Sequence, residues 1–269
     1  MPYVDEVAAI LREVAKTVVL PKFRALATNE IAEKSAPGDF VTIADRDAEA
    51  AISAKLREIE DCPVLGEEAA DDEPDLMSLV QAGGPLWIVD PIDGTGNFVR
   101  GNDRFALMVA YVRDGTVCSG WIYQPVPDLL FAADDGVATR NGVPFRRQGI
   151  SRNLRDLSVS ASYKIPRAAY AAVKKHSAAF GRFGYGTQAA GWEYPHIASG
   201  HRDVAIYWRT LPWDHAPGSA ILRAVGGVVR RWDGTDYQIG DGKKGIVAAC
   251  DEMTWRQVTD LVDLAAFAT

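Results

Sequence analysis

The run Leu86-Trp87-Ile88-Val89-Asp90-Pro91-Ile92-Asp93-Gly94-Thr95 joins an apolar segment to two carboxylates and a Gly-Thr turn. Glycines and a proline precede it and Pro91 interrupts it, which leaves no room for a helix, so Leu86 to Val89 reads as a short buried strand. Asp90 and Asp93 then stand where a strand leaves its sheet. Gly94 can take backbone angles that bring main-chain N–H groups close to an anion. Carboxylates beside an anion-binding turn repel the anion unless a metal ion stands between them.

The chain of 269 residues is 48% hydrophobic, enough for one large domain or two joined halves. A formal net charge of −7 argues against a broad electrostatic footprint for nucleic acid or anionic lipid, and an acidic protein that handles an anionic substrate needs a cation at its site. Cys62, Cys118 and Cys250 lie far apart with no C-x-x-C pairing, so they read as small buried hydrophobes rather than a zinc knuckle or a disulfide framework. Asp5, Glu6 and Glu13 interrupt the N-terminal apolar pattern, unlike a signal peptide, and no stretch approaches the roughly 18 apolar residues of a membrane span. The expectation is a soluble cytoplasmic protein with no membrane partner.

Upstream of the central run, Val4, Val7, Ala8, Ile10, Leu11, Val14, Val18 and Val19 predict an amphipathic helix to Pro21 or, kinked, to about Ala27. Pro37-Gly38 marks a turn, and Asp39 to Thr42 leads into a second helical pattern from Ala44 to Ile59. Thr42 can cap that helix and places Asp45 in its first turn. Pro63 to Glu68 is another apolar segment that stops at a glycine and delivers acids, followed by a solvated charge run over Ala69 to Asp75. Downstream, Phe105 to Tyr111 and Val117 to Tyr123 predict a hairpin about Asp114-Gly115, which Leu129 to Ala133 and Gly136 to Arg140 extend into a meander. The basic stretch Arg146 to Asp156 reads as a connector between halves 1–149 and 150–269. The second half alternates strand and helix: strands at Leu157 to Ala161, Val204 to Trp208, Val228-Val229 and Ile246 to Ala249, helices at Pro166 to Phe180, Trp192 to Ser199 and Thr254 to Phe267. A further helix opens at Leu211 to Gly218 with Asp214 at its N-terminus.

Carboxylates are thus delivered at the ends of elements in separate places: Asp45, Glu67 with Glu68, Asp90 with Asp93, and Asp214. Taken singly, Asp45 also fits a cap, Glu67 and Glu68 an acidic loop, and Thr95 a turn. Only oxygen ligands are offered, since His196 and His201 lack partners at ligand spacing, and a carboxylate set selects hard ions such as Mg²⁺ or Mn²⁺ over Zn²⁺. An acid-rich site floored by the Asp93-Gly94-Thr95 amides points to attack of a metal-activated water on a phosphate ester. Thr95 can orient that water, with Asp45 or Glu68 accepting a proton.

The constellation resembles the inositol monophosphatase family in Lys34 to Asp45 with Gly66-Glu67-Glu68, in Asp90 to Phe98, and in Pro212 to Gly218 with Gly226-Gly227, in the family's order along nearly the whole chain. The resemblance implies a mixed α/β or α+β fold, a layered αβαβα sandwich of the inositol monophosphatase and fructose-1,6-bisphosphatase type, dimeric and with a lithium-sensitive Mg²⁺ site. It assigns metal binding to Glu67, Asp90, the Ile92 carbonyl, Asp93 and Asp214, with two or three Mg²⁺ ions. Asp45 and Thr95 correspond to the water-activating pair and Gly94-Thr95 to the phosphate-holding amides. Lys34 and Glu68 either tune the metal shell or shape the loop.

Departures fall in the substrate part. Where inositol-cleaving members carry a sugar-binding glutamate this chain has Tyr207, and their small pocket-lining segment corresponds to Gln188-Ala189-Ala190, with Trp192-Glu193 following. Such changes alter shape and hydrogen bonding, although Trp192 and Tyr207 also fit core packing. The expected substrate is a small phosphate monoester, nominally inositol monophosphate, with histidinol phosphate, a sugar phosphate or a 3′-phosphonucleotide as alternatives. A regulator that binds RNA or transcription machinery on this scaffold is the reading from another class, and the presence of every metal-binding position weighs against it.

Overall fold

Strands covered on both faces carry unbroken apolar runs, and Ala106 to Val112 and Trp121 to Tyr123 are runs of this kind. The computed structural model describes residues 3–34, 38 and 40–267. Helix α1 (Val4–Val14) continues through a π-helical turn, Ala15–Val19, into α2 (Leu20–Lys22), and a small antiparallel hairpin of β1 (Ile31–Glu33) and β2 (Phe40–Thr42) leads to α3 (Ile43–Ile59). Next come β3 (Val64–Gly66), α4 (Glu67–Asp72), β4 (Pro85–Asp93) and α5 (Thr95–Val99). The meander is β5 (Ala106–Arg113), β6 (Thr116–Gln124), β7 (Leu129–Asp134), β8 (Val137–Arg140) and β9 (Val143–Pro144). There follow β10 (Ser158–Ala161), α6 (Arg167–Lys175), β11 (Arg182–Tyr185), α7 (Ala190–Ser199), β12 (Val204–Tyr207), α8 (Pro212–Ala224), β13 (Val228–Arg231), β14 (Ile246–Ala249) and α9 (Glu252–Leu261). One sheet has the order β3-β4-β5-β6-β7-β8-β9, the other β11-β10-β12-β14-β13.

Alternation along single strands sets the layers. Leu107, Val109 and Tyr111 of β5 join Trp87, Val89 and Trp121 in a core against Val7, Leu11 and Val14 of α1 and Ile52 and Leu56 of α3. Ala106 and Met108, on the opposite face of β5, pack with Tyr194 and Ile197 of α7 and Ile221 and Leu222 of α8. The same helices meet Ala205, Ile246 and Ala248 of the second sheet, whose other face, through Val159, Ile206, Val247 and Ala249, is covered by Ala169 and Val173 of α6 and Trp255 and Val258 of α9. The stack is therefore helices, sheet, helices, sheet, helices, the αβαβα order that the family resemblance implies.

Several expectations change. Strand β4 does not stop at Val89 but runs to Asp93, because a bulge between Asp90 and Asp93 absorbs Pro91. The supposed charge run after Glu68 is helical through Asp72, since its backbone is anchored by a buried carboxylate described below. The closing helix spans Glu252–Leu261 and ends in a separate 3₁₀ turn, Ala265–Phe267. The β1/β2 hairpin and β11 are short elements that periodicity did not reveal. Gly38 lies at φ +78°, as a turn there demands, while Pro37 and Asp39 fall outside the described residues.

The middle helical layer approaches its neighbours closely. A Cβ on Gly218 of α8 would stand 2.2 Å from the ring of Tyr194, and one on Gly120 of β6 would stand 2.5 Å from the Pro217 carbonyl oxygen. Both contacts are with rigid groups, so Gly218→Ala is expected to cost about 1–3 kcal/mol by urea unfolding. Gly184→Ala, whose Cβ meets nothing within 4 Å, should change stability by less than about 0.5 kcal/mol. Equal effects from the two substitutions would refute this packing.

Candidate active site

Two residues separated by three positions on a regular strand face opposite sides of the sheet. Asp90 pairs with Met108 and Asp93 with Ala106, so Pro91 and Ile92 together oppose Leu107 alone, and the extra residue restores parity. Both aspartates consequently share the face of Met108 and Ala106, toward α7 and α8. Asp214, in the first turn of α8, completes the group: ligand oxygens of Asp90, Asp93 and Asp214 all lie within 4.8 Å of one another.

Backbone dipoles hold one member of this group in place. The N–H groups of Ala190 and Gly191, opening α7, donate to Asp93 Oδ1 at 3.1 Å and Oδ2 at 2.7 Å. A Cβ at Gly191 would stand 2.6 Å from Ala106 Cβ and 3.1 Å from Asp93 Oδ2, so the approach requires glycine. Asp93 retains lone pairs beyond these two bonds.

Asp45 combines the cap expected of it with a second contact. Its Oδ2 accepts from Thr42 N at 2.8 Å and Thr42 Oγ1 at 2.6 Å, closing a capping box on α3, while Oδ1 lies 3.1 Å from Thr95 Oγ1. The Thr95 hydroxyl also lies 3.0 Å from the Ile92 carbonyl. Gly94, at φ +84°, turns the chain from β4 into α5. The first N–H groups of α5, which lack acceptors within the helix, therefore border the cleft that Gly94, Thr95 and Gly96 line.

Lys34 gathers the second acidic pair: its Nζ is 3.0 Å from Glu67 Oε1, 2.9 Å from Glu68 Oε1 and 2.7 Å from Asp71 Oδ2. Glu67 lines the same cleft as the three aspartates, while Lys34 and Glu68 stand behind it. Glu49, buried in α3, accepts from Glu68 N at 2.8 Å and Ala69 N at 2.9 Å, so a carboxylate serves as cap for α4. Gly66 makes room for it, because a Cβ there would stand 2.2 Å from the Glu49 carboxyl carbon.

Burial and mutual repulsion raise these acids together. Burial pushes Asp45 up to about 7 against the opposing Thr42 hydrogen bonds, and pushes Glu68 up to about 8 with Glu67 adding to it. Asp93 reaches about 8 through burial and the charge of Asp214, opposed by the α7 amides. Burial, then Glu67, Asp93 and Asp214, drives Asp90 well above the usual carboxylate range, and burial also raises Glu67. Lys34 is itself raised, since Glu67 and Glu68 outweigh its own burial. Asp90 Oδ1 is buried with no hydrogen-bond partner among the described residues. An all-oxygen donor set with such an orphan atom fits a hard divalent cation, which would satisfy the atom and cancel the repulsion.

A cleft of about 610 Å³ unites the predicted residues Glu67, Asp90, Ile92, Asp93, Gly94, Thr95, Gln188, Ala189, Ala190, Tyr207 and Asp214. Asp45, Glu68 and Lys34 lie behind its wall. Gln188 sits at φ +64°, strained for a non-glycine, and Ala190 spends its N–H on Asp93. Trp192 is not at the lining: its Nε1 donates to the Phe105 carbonyl at 3.1 Å. The Tyr207 ring stacks on Tyr194 at 5.9 Å, and its buried hydroxyl has no hydrogen-bond partner among the described residues. Sequence reasoning missed Gly191, Glu49 and Asn97, whose Nδ2 donates to the carbonyls of Arg104 at 2.7 Å and Thr187 at 2.9 Å. Only Asn97 carried a signal, as a polar residue inside the Asp90 to Phe98 motif.

Comparison with known proteins gives the same picture over the whole chain. The model for the inositol monophosphatase family matches residues 3–263. An inositol-1-monophosphatase of Bacillus subtilis is 31% identical over 217 residues, covering 77% of this chain and 78% of that protein. The 3′(2′),5′-bisphosphate nucleotidase CysQ of Escherichia coli is 30% identical over 200 residues, covering 72% of this chain and 77% of its own. Among solved structures, an IMPase of Thermotoga maritima matches with a TM-score of 0.84 at 25% identity, over 99% of each chain. A family match running almost end to end, on a fold that brings its acids to one cleft, makes this chain a member of the inositol monophosphatase family, phosphatases of phosphate monoesters.

Proposed function

We propose that the protein hydrolyses a small phosphate monoester with Mg²⁺, two or three ions being held by Glu67, Asp90, the Ile92 carbonyl, Asp93 and Asp214. The observation that carries this reading is the convergence of Asp90, Asp93 and Asp214 within 4.8 Å beside the Gly94-Thr95 turn. Held by those residues, the metal would polarise the phosphoryl group and would bring a water's pKa toward neutrality.

The protein's own groups position and deprotonate the nucleophile. The attacking water donates to Thr95 Oγ1, and the Thr95 hydroxyl donates in turn to Asp45 Oδ1, 3.1 Å away. Thr42 fixes the other oxygen of Asp45, so Oδ1 alone is left to receive the proton. A carboxyl pushed up to about 7 is poised to take a proton at neutral pH. The amides of Gly94-Thr95 hold a phosphoryl oxygen, Lys34 neutralises Glu67 and Glu68, and Gln188, Ala189, Ala190 and Tyr207 face the leaving group. The protein acts as a homodimer in the cytoplasm in this reading, with lithium as inhibitor. Inositol monophosphate is the nominal substrate. Near-equal identity to the nucleotidase CysQ supports a 3′-phosphonucleotide as the second choice. A phosphate-release screen over phosphomonoesters, with Mg²⁺ and with or without Li⁺, tests the reading, and uniform failure across the panel overturns it.

Asp93→Asn is expected to lower kcat on the order of a thousandfold, since it removes a metal-binding charge while an amide oxygen still accepts from α7. Circular dichroism and the gel-filtration profile should match those of the parent, and near-normal turnover would rule out the assignment. Proton linkage gives an independent check. Folded Asp45 and Asp93 keep protons up to about 7 and about 8, whereas the unfolded chain releases them near the ordinary aspartate value of 3.8. The native state thus binds more protons over that window, and the metal-free protein loses stability as pH rises through it. Mg²⁺ displaces those protons, so its thermal stabilisation should be larger at pH 8 than at pH 6. A shift in Tm that does not vary with pH would contradict the proposed ligands.

A further inference from the structure

Glu193, in the first turn of α7, is a buried carboxylate at the cleft for which the metal and the water have no use. It is 3% exposed, and groups from three parts of the second half converge on it. Its Oε2 accepts from Ser160 Oγ of β10 at 2.7 Å and lies 3.1 Å from Nε of Arg202, just past α7, while Oε1 accepts from Thr187 N at 2.7 Å. Gly186 admits the carboxylate, since a Cβ there would stand 2.9 Å from both Cδ and Oε1 of Glu193. A buried ion pair adds little stability over a well-packed apolar replacement, so stability alone does not account for this one. What the carboxylate does achieve is a fixed position for the turn that leads into α7.

That turn is held from both sides. The N–H of Thr187 donates to Glu193, its carbonyl accepts from Asn97 Nδ2 at 2.9 Å, and its hydroxyl donates to the Ala189 carbonyl at 3.1 Å. Gln188, next in the chain, is thereby kept at φ +64°, a left-handed conformation that a glutamine takes only under constraint. Its side chain folds back so that Nε2 donates to the Gly186 carbonyl at 3.0 Å, which fixes the orientation of the amide and makes Oε1 the free acceptor. Oε1 is buried with no hydrogen-bond partner among the described residues, and Gln188 lines the cleft. A buried acceptor without a donor is costly, and at a cleft wall it marks a place for a donor on the ligand.

We propose, resting on the phosphatase reading above, that Glu193 is a positioning residue for the leaving group: through Thr187 it holds Gln188 so that Oε1 accepts a hydrogen bond from an O–H or N–H on the leaving alcohol. Both oxygens of Glu193 are engaged within the protein, so its influence reaches the ester through the turn. An ester whose leaving alcohol bears a donor is thereby favoured over one of the same skeleton that bears none.

Ester pairs matched in carbon skeleton test this: inositol 1-phosphate against cyclohexyl phosphate, and glycerol 2-phosphate against isopropyl phosphate. With Mg²⁺ present, kcat/KM for the hydroxylated member is expected to be higher by about tenfold in at least one pair. Gln188→Leu and Glu193→Gln should each bring that ratio toward unity, chiefly through KM, a readout that a general loss of folding or of metal does not move. Ser160→Ala, which takes one bond from Glu193 Oε2, should lower the ratio in the same direction by less. Because Glu193 acts through Gln188, Glu193→Gln should lower the ratio no further once Gln188→Leu is in place. The proposal is overturned, with the phosphatase reading left standing, by hydrolysis without a preference in either pair or by a ratio that Gln188→Leu or Glu193→Gln leaves unchanged. An effect of Glu193→Gln that persists beside Gln188→Leu overturns it equally. Where Glu193→Gln does not fold, a ratio that Ser160→Ala leaves unchanged does the same. No hydrolysis of any ester overturns both.

Discussion

Asp90, Asp93 and Asp214 repel one another within 4.8 Å in a buried cleft, and much of the nearby backbone is arranged to hold them there. No one device would suffice, because each buried carboxylate strongly favours protonation or solvent over a place beside two others. A bulge turns two strand residues to one face, the first turn of α8 supplies the third, and the opening amides of α7 offset part of the charge on Asp93. Lys34 does the same for Glu67 and Glu68 through hydrogen-bonded contacts of 2.9–3.0 Å. What this scaffolding leaves uncompensated is the role of a divalent cation.

The same contacts tie the reacting end to the substrate end. Residues 187–192 lead into and open α7, and side chains of β4, α5 and β6 pin them at several points: Asn97 to the Thr187 carbonyl, Asp93 to two amides, and Gln124 Nε2 to the Gly191 carbonyl at 2.9 Å. Trp192 returns a bond to the Phe105 carbonyl. A shift of α7 would therefore move Asp93 as well as Gln188 and Ala189. This coupling explains why Gln188 tolerates a left-handed backbone at the cleft, since the residues around it are fixed from the other sheet.

Legibility from sequence followed the range of the interactions. Long periodic segments such as Val4 to Val19 and Ala44 to Ile59 announced helices, and the capping of Thr42 over Asp45 was readable because it is local. The strand carrying Asp90 extends past the break that Pro91 signals, because a bulge that only the partner strand β5 reveals accommodates the proline. Glu49 was invisible for the same reason: it sits mid-helix in α3, and its worth comes from a helix 19 residues later in the chain. The β1/β2 hairpin and β11 are three or four residues long, too short for any period to register. Trp192 follows the lining segment and from sequence fits either the substrate region or the packed interior, and helical geometry decides for the second by turning it toward Phe105.

The two ends of the cleft differ in how freely their residues can change. At the acidic end, the placement of the carboxylates depends on backbone features with few alternatives: a bulge of fixed parity, a glycine whose Cβ would strike Ala106, another whose Cβ would strike the Glu49 carboxylate. Substitution there disturbs the fold's own hydrogen bonds along with the chemistry. At the opposite end of the cleft, Tyr163, Lys164, Tyr185 and Arg209 follow or end strands, where side chains can be exchanged without altering the ladders β10 makes with β11 and β12. A scaffold built this way keeps its reaction while its substrate drifts, which is why relatives at 30–31% identity include both an inositol-1-monophosphatase and a bisphosphate nucleotidase. On the proposed reading, the substrate is selected at that edge of the second sheet, apart from the acids that converge at the other end of the cleft.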